Sequence, residues 1–271
     1  MSGIILSGEE IRNGKMDDNT LKMAKHFFEA SGFLKIENLF PKELIHSLAA
    51  AYEKQIAFDP ETEALQTGVQ VSDKRYITPI SFTSPFNDPL LYANPLIMPL
   101  LEKILGPRLI LGGLGAVTAL PGAEAQHVHA DYRCLFEEEM GISCSVPTYA
   151  ITFAVPLVDI DLVNGPTKVW KASHKTYPIE QKMQAYDMEL LSGPVGSCYF
   201  WDYRTFHAGG SNHSEKVRSL LYMSYTRCWF KDFFNPDLLH MEREDYDTLS
   251  NDHKNLFLSL RKKTEKSLSK N

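Results

Sequence analysis

The stretch Gln126-His127-Val128-His129-Ala130-Asp131 places a histidine and an aspartate two positions apart. On an extended strand such side chains point to the same side, so His129 and Asp131 reach one point while Ala130 faces away. A second stretch, Trp201-Asp202-Tyr203-Arg204-Thr205-Phe206-His207-Ala208-Gly209-Gly210, supplies a distant histidine on another strand-like segment. Eleven residues after His207, Arg218 opens the apolar-rich run Arg218-Ser219-Leu220-Leu221-Tyr222-Met223-Ser224-Tyr225. Two imidazoles and a carboxylate are the ligand set of the facial triad, which covers one face of an octahedral Fe(II) and leaves the other open. An arginine on the following strand is placed to hold the far carboxylate of a keto acid bound at the open positions.

Around these residues the chain resembles the phytanoyl-CoA dioxygenase family of Fe(II)/2-oxoglutarate oxygenases. The resemblance rests on Gln126-x-x-His129-x-Asp131, on Asn164-Gly165-Pro166-Thr167-Lys168-Val169-Trp170-Lys171-Ala172-Ser173-His174, on Asp202 through Ser214, and on Arg218. These motifs run in the family's order between about residues 109 and 230. Ala172 departs from the glycine that commonly precedes Ser-His, at a position that reads as a turn. The resemblance implies Fe(II) held by His129, Asp131 and His207, with 2-oxoglutarate as co-substrate and dioxygen at the last open site. It carries Gln126 and Thr167 over as co-substrate contacts beside Arg218. Apart from the resemblance, Arg75, in Asp73-Lys74-Arg75-Tyr76, is a candidate for the pocket edge. The implied products of the keto acid are succinate and carbon dioxide. A carboxylate at Asp131, where related halogenases have a small residue, favours hydroxylation, or another oxidation such as desaturation, over halogenation. The substrate implied is a small molecule, by analogy one tailored in natural-product biosynthesis.

Composition narrows the class further. The chain has 271 residues, 44% apolar and 23% charged, ordinary for a globular protein able to bury a large core. A net charge of −6 argues against a nucleic-acid partner. No apolar run reaches the roughly 20 residues of a membrane span, and the start does not read as a secretory signal. The four cysteines, Cys134, Cys144, Cys198 and Cys228, form no Cys-x-x-Cys pair and read as reduced thiols of a cytoplasmic protein.

Apolar periodicity predicts a mostly helical part over about residues 17–106. One helix carries Leu21, Ala24, Phe27 and Phe28 and ends at Gly32; one starts at Pro41; one runs from Leu96 to Leu105. Phe33-Leu34-Lys35-Ile36 reads as a short strand between them. From about residue 107 to 230, strand patterns dominate: Leu109–Val117, Tyr149–Val158, Ser197–His207 and Ser219–Tyr225. A helical tail follows from about His253, ending in the basic residues Lys262, Lys263, Lys266 and Lys270. The expected class is therefore α+β in one domain over 1–271; the resemblance specifies a double-stranded β-helix, or jelly roll, with flanking α-helices.

Several alternatives stand beside this reading. His127-x-His129 would suit a cupin-type metal pair, but Arg133 and Cys134 stand where such a site wants a glutamate. His174 reads as structural, and His213 as a surface residue. Asp202 and Arg204 are either supports of the His207 strand or a structural pair. Trp201, Tyr203, Tyr222, Trp229 and Phe230 line a pocket or fill the core. A non-catalytic jelly roll that binds a small molecule or metal is the alternative function, and the intact triad argues against it.

Overall fold

The computed structural model describes residues 3–258 except 57, 60–63, 66, 133–134, 137–141, 177–186 and 234–238. Arg133, Cys134 and the lysines of the C-terminal tail therefore lie outside the described residues. In chain order the elements are β1 (Gly3–Ile5), α1 (Gly8–Asn13), α2 (Asp18–Ser31), β2 (Phe33–Glu37), α3 (Lys42–Gln55), β3 (Phe58–Asp59), β4 (Ala64–Leu65), β5 (Val69–Ser72) and β6 (Arg75–Ser81). There follow α4 (Pro89–Tyr92), α5 (Met98–Leu105), β7 (Leu109–Ala119), β8 (Ala150–Pro156), β9 (Thr167–Trp170), β10 (Met188–Leu191), β11 (Cys198–Asp202), β12 (His207–Gly209), β13 (Arg218–Arg227), β14 (Leu239–His240), α6 (Arg243–Thr248) and α7 (Asn251–Leu256).

Two sheets face each other. The larger runs β1-β2-β11-β8-β13-β7-β6-β14, with β5 also on β6; the smaller runs β10-β9-β12. This is the two-layered double-stranded β-helix. Period-2 alternation sorts its side chains. On β8, Ile151, Phe153 and Val155 join the large core with Leu21 and Phe28 of α2, Leu48 of α3 and Leu100 and Leu101 of α5. The alternate residue Ala154 turns inward, as do Tyr199 and Trp201 of β11 and Leu220 of β13, where they meet Val169 and Leu191 of the smaller sheet. Helices thus cover one face of the large sheet, and the small sheet covers the other. Among the described residues no helix is long and apolar enough to cross a membrane.

The helices at Gly32, Pro41 and Leu105 form as the periodicity predicts. One part of the supposed helical region does not. Val69–Ser81 forms β5 and β6, and β6 joins the large sheet beside β7. The cause lies in Arg75-Tyr76-Ile77-Thr78-Pro79-Ile80-Ser81, whose buried and less buried positions alternate over Ile77–Ser81 and whose β-branched residues suit a strand. The short strands β1, β3, β4, β9, β10 and β14 lie outside the expected ones, because two to four residues carry too little pattern to show a period.

Gly32 ties α2 to the barrel. Its φ of +85 is left-handed, and an added Cβ would run into His174 Nδ1 and sit 2.6 Å from Thr205 Oγ1. His174 is buried, with its Nε2–H directed at the Glu29 carbonyl, which bears out its structural reading. Ala172 holds φ +59, so the residue standing where the family commonly has glycine makes the left-handed turn itself. Burial pushes the His174 imidazole down to about 4, against the pull of Asp202 and with the push of Arg204 and Lys175.

Because the folded protein refuses a proton that the unfolded chain accepts near 6.5, stability should be level above that pH and fall below it as far as about pH 4. Between pH 8 and pH 5, unfolding by urea should show wild type losing about 2 kcal/mol more than His174→Gln. Equal losses would remove His174 as the cause.

Candidate metal and co-substrate site

His129 does not lie on a regular strand, as its spacing suggested. It forms an isolated antiparallel bridge with His207 at the edge of the small sheet. The two residues exchange both backbone hydrogen bonds, His129 N to His207 O at 3.0 Å and His207 N to His129 O at 2.8 Å. Their rings therefore stand 4.4 Å apart between centroids. Asp131 follows within reach, its Oδ1 3.5 Å from His207 Nε2. One ligand atom from each of the three lies within 4.8 Å of the others. His127 stays exposed beside His129 and outside this group, and His213 is exposed as well.

Each ligand is held by its other polar atom. His129 Nδ1 meets the His127 carbonyl at 2.9 Å, and His207 Nδ1 meets the Thr205 carbonyl at 2.9 Å. A carbonyl only accepts, so each Nδ1 carries the hydrogen and each Nε2 keeps its lone pair for a metal. Burial and the neighbouring His207 hold the His129 imidazole below its ordinary value, which favours the neutral form that binds metal. Asp131 Oδ2 accepts from Thr152 Oγ1 at 2.5 Å and from Trp201 Nε1 at 2.7 Å. Thr152 and Trp201 are direct register partners on β8 and β11, so the sheet delivers both donors together. These two supports were not singled out for this role from sequence; the inward phase of β8 and β11 is the signal that locates them.

A second cluster lies along β12. Two residues beyond His207, Gly209 N donates to Gln126 Oε1 at 3.0 Å and pairs in register with Thr167. A Cβ on Gly209 would stand 2.6 Å from Gln126 Oε1 and 2.8 Å from Arg75 Nη1. Arg75 Nη2 donates to the Glu124 and Gly210 carbonyls, both at 3.0 Å. Arg218 Nη1 donates to the Gly165 carbonyl at 2.7 Å. Arg75 and Arg218 sit on either side of one small residue, since both pair with Ala119 of β7. Gln126, Thr167 and Arg75 thus meet around Gly209, and Arg218 stands across Ala119 from Arg75.

Both guanidiniums are deeply buried, Arg75 at 0% and Arg218 at 2% exposure. Neither forms an ion pair among the described residues. Among the described residues, Arg75 Nε and Nη1 and Arg218 Nε meet no acceptor. Burial, then the nearby Arg218, lowers Arg75 to about 10, and burial lowers Arg218. At that value Arg75 remains cationic at neutral pH. A buried, unpaired cation costs several kcal/mol, and two with unmatched donors fit a ligand that brings negative charge and several acceptor oxygens. A keto diacid meets that demand, and the triad meets the demand of Fe(II) for nitrogen and oxygen donors. By contrast Asp202 and Arg204 satisfy each other bidentately at 2.8 and 2.7 Å in the turn between β11 and β12. Arg204 also donates to the Ser143 and Val146 carbonyls, so the pair braces the turn that carries His207.

An open-faced metal site with a buried cationic pocket beside it, between the sheets of a double-stranded β-helix, is what an iron- and 2-oxoglutarate-dependent oxygenase requires. Comparison with known proteins leads to the same place. A model of the phytanoyl-CoA dioxygenase (PhyH) family matches residues 28–220, and the chain belongs to that family. It is 24% identical over 244 residues to an ectoine dioxygenase of Bordetella parapertussis, covering 78% of this chain and 77% of that protein. It is 26% identical over 146 residues to the dioxygenase trt7 of Aspergillus terreus, where the match spans about half of each chain, 52% of this one and 48% of that one. Among solved structures it resembles the epimerase SnoN from nogalamycin biosynthesis, in complex with Fe3+, alpha ketoglutarate and nogalamycin RO. The TM-score is 0.61, with 17% identity, 83% of this chain and 94% of that chain covered. HygX of Streptomyces hygroscopicus, with nickel, 2-oxoglutarate and hygromycin B bound, gives 0.58 at 16% identity over 76% of this chain and 86% of that one. At such identities the structural likeness speaks to the fold.

Since the pocket closes around the missing side chain of Gly209, Gly209→Ala should displace Gln126 and Arg75. Affinity for 2-oxoglutarate should fall at least about tenfold, the loss of one charge-assisted hydrogen bond, with Fe(II) affinity kept. Calorimetric titration of both ligands checks it.

Proposed function

We propose that this protein hydroxylates a small-molecule substrate as an Fe(II)/2-oxoglutarate-dependent dioxygenase, with His129, Asp131 and His207 as the metal ligands. The observation that carries the reading is the juxtaposition of that triad with two buried guanidiniums lacking an anion among the described residues. When bound, Fe(II) and 2-oxoglutarate supply the oxidant: dioxygen and the keto acid give succinate, carbon dioxide and one oxygen atom placed in a C–H bond of the substrate. The chain's own residues position. Thr152 and Trp201 fix the Asp131 carboxylate, and the His127 and Thr205 carbonyls fix the imidazole tautomers. Arg218 and Arg75 take the far carboxylate, and Gln126 and Thr167 complete the wall around it.

Residues 1–271 act as one domain, supported by a core that draws on Ile4 and Phe257 alike. The free thiols Cys198 and Cys228 suit a cytoplasmic protein. Substrates of relatives named for nogalamycin, hygromycin B and ectoine support a small molecule of the natural-product kind. Dioxygen is the gaseous reactant, and neither nucleic acid nor membrane has a part in the reaction.

Supplied with Fe(II) and ascorbate, the purified protein should convert 2-oxoglutarate to succinate; His129→Ala and His207→Ala should each abolish this along with Fe(II) binding. Unchanged iron affinity in both variants would sink the metal assignment. Arg218→Ala should weaken 2-oxoglutarate binding by about one to two orders of magnitude while iron affinity stays nearly intact, as read by anaerobic titration. With Asp131 in place, products formed in high chloride under labelled dioxygen should carry the oxygen label or lack two hydrogens by mass spectrometry; a chlorinated main product would overturn the reaction type.

A further inference from the structure

Thr152 and Trp201 both donate to the same oxygen of Asp131. The Thr152 hydroxyl reaches Oδ2 at 2.5 Å and the Trp201 indole N–H reaches it at 2.7 Å. Oδ1 is the oxygen that faces the neighbouring ligand, 3.5 Å from His207 Nε2. A carboxylate oxygen has about two lone-pair directions, so two short donors leave Oδ2 little to offer a metal. The donors are also held in place. Both residues are buried, and the Trp201 ring is wedged between His207 at 4.9 Å and Tyr222 at 5.7 Å. An indole N–H can only donate. Thr152 is its register partner, on a strand that is itself paired on both sides, by β11 and β13. The sheet therefore aims two hydrogens at one atom, where little water competes and charge-assisted bonds are strong.

Which oxygen is withheld decides how many positions a metal keeps. An octahedral ion with a facial triad keeps one whole face, three positions, when the carboxylate gives a single oxygen. The keto acid takes two of these through its keto oxygen and nearer carboxylate, and the last is left for dioxygen. If Asp131 gave both oxygens, only two positions would remain, and the keto acid would fill them.

We propose that Thr152 and Trp201 are positioning residues that keep Asp131 a one-oxygen ligand, and so hold open the place that dioxygen takes beside the bound keto acid. This rests on the Fe(II)/2-oxoglutarate reading of the site. The two donors do more than steady the side chain, because they occupy the oxygen that would otherwise close the site.

Nitric oxide is the probe, since it binds Fe(II) where dioxygen does, without turnover, and its complex has a half-integer spin that EPR reads. It is titrated anaerobically into the Fe(II) protein with and without saturating 2-oxoglutarate, as wild type, Trp201→Phe, Thr152→Val and Thr152→Ser. With 2-oxoglutarate bound, nitric oxide must displace an Asp131 oxygen in Trp201→Phe and Thr152→Val. Its Kd should then rise about tenfold, the worth of one charge-assisted hydrogen bond. Without 2-oxoglutarate a position stays open even beside a two-oxygen Asp131, so the Kd should match wild type. Thr152→Ser keeps the hydroxyl and should match wild type in both conditions. A merely structural role predicts the same weakening with and without the keto acid. That result, or an unchanged nitric oxide Kd in the presence of 2-oxoglutarate, overturns the inference. Thr152→Val, nearly the same in shape, carries the test if Trp201→Phe does not fold. Wild-type protein that binds iron but not 2-oxoglutarate would instead defeat the co-substrate reading itself, and the inference with it.

Discussion

The two backbone hydrogen bonds exchanged between His129 and His207 are the constraint on which the site depends. They join a segment without regular structure to the edge of the small sheet. They also set two imidazoles side by side, with both Nδ1 atoms turned to carbonyls and both Nε2 atoms turned to one point. A side-chain contact alone would leave the pair free to swing. Fixing them through the main chain removes that freedom before any ion arrives, which is how a binding site avoids an ordering cost at the moment of binding.

The two sheets divide the work. The small sheet supplies His207 and Gly209 from one strand of three residues, the first beside His129 and Asp131 and the second against Gln126 and Arg75. The large sheet supplies what holds them: Thr152 and Trp201 behind Asp131, and Arg75 and Arg218 astride Ala119. Burying two guanidiniums with no carboxylate partner among the described residues is unfavourable for the folded protein taken alone, and the large core between the sheet and its helices offsets it. The same penalty makes the pocket receptive, because a dianion relieves repulsion and matches donors in one event.

Much of the site was legible in the chain. His129, Asp131, His207 and Arg218 sit in compact motifs whose residue types state their chemistry, and the Gln126 and Thr167 assignments ride on the same motifs. Arg75 was legible only as a weak candidate, because its strand was hidden in a region dominated by helical periodicity. The turn at Ala172 and the structural role of His174 could be read from the motif they end. His129 differs from the expectation: period-2 spacing suggests a strand, whereas a single bridge to His207 holds it.

By itself the sequence determined the ligand types, their order, the α+β character and the family. Tertiary structure decided which donors converge. Register is set between strands that are distant in the chain, and a shift of one residue turns every side chain to the opposite face. That Trp201 lies opposite Thr152, and that Arg75 and Arg218 share Ala119, are facts of register and sheet stacking. No local pattern encodes them, because each depends on the packing of two sheets against each other and against the helices outside.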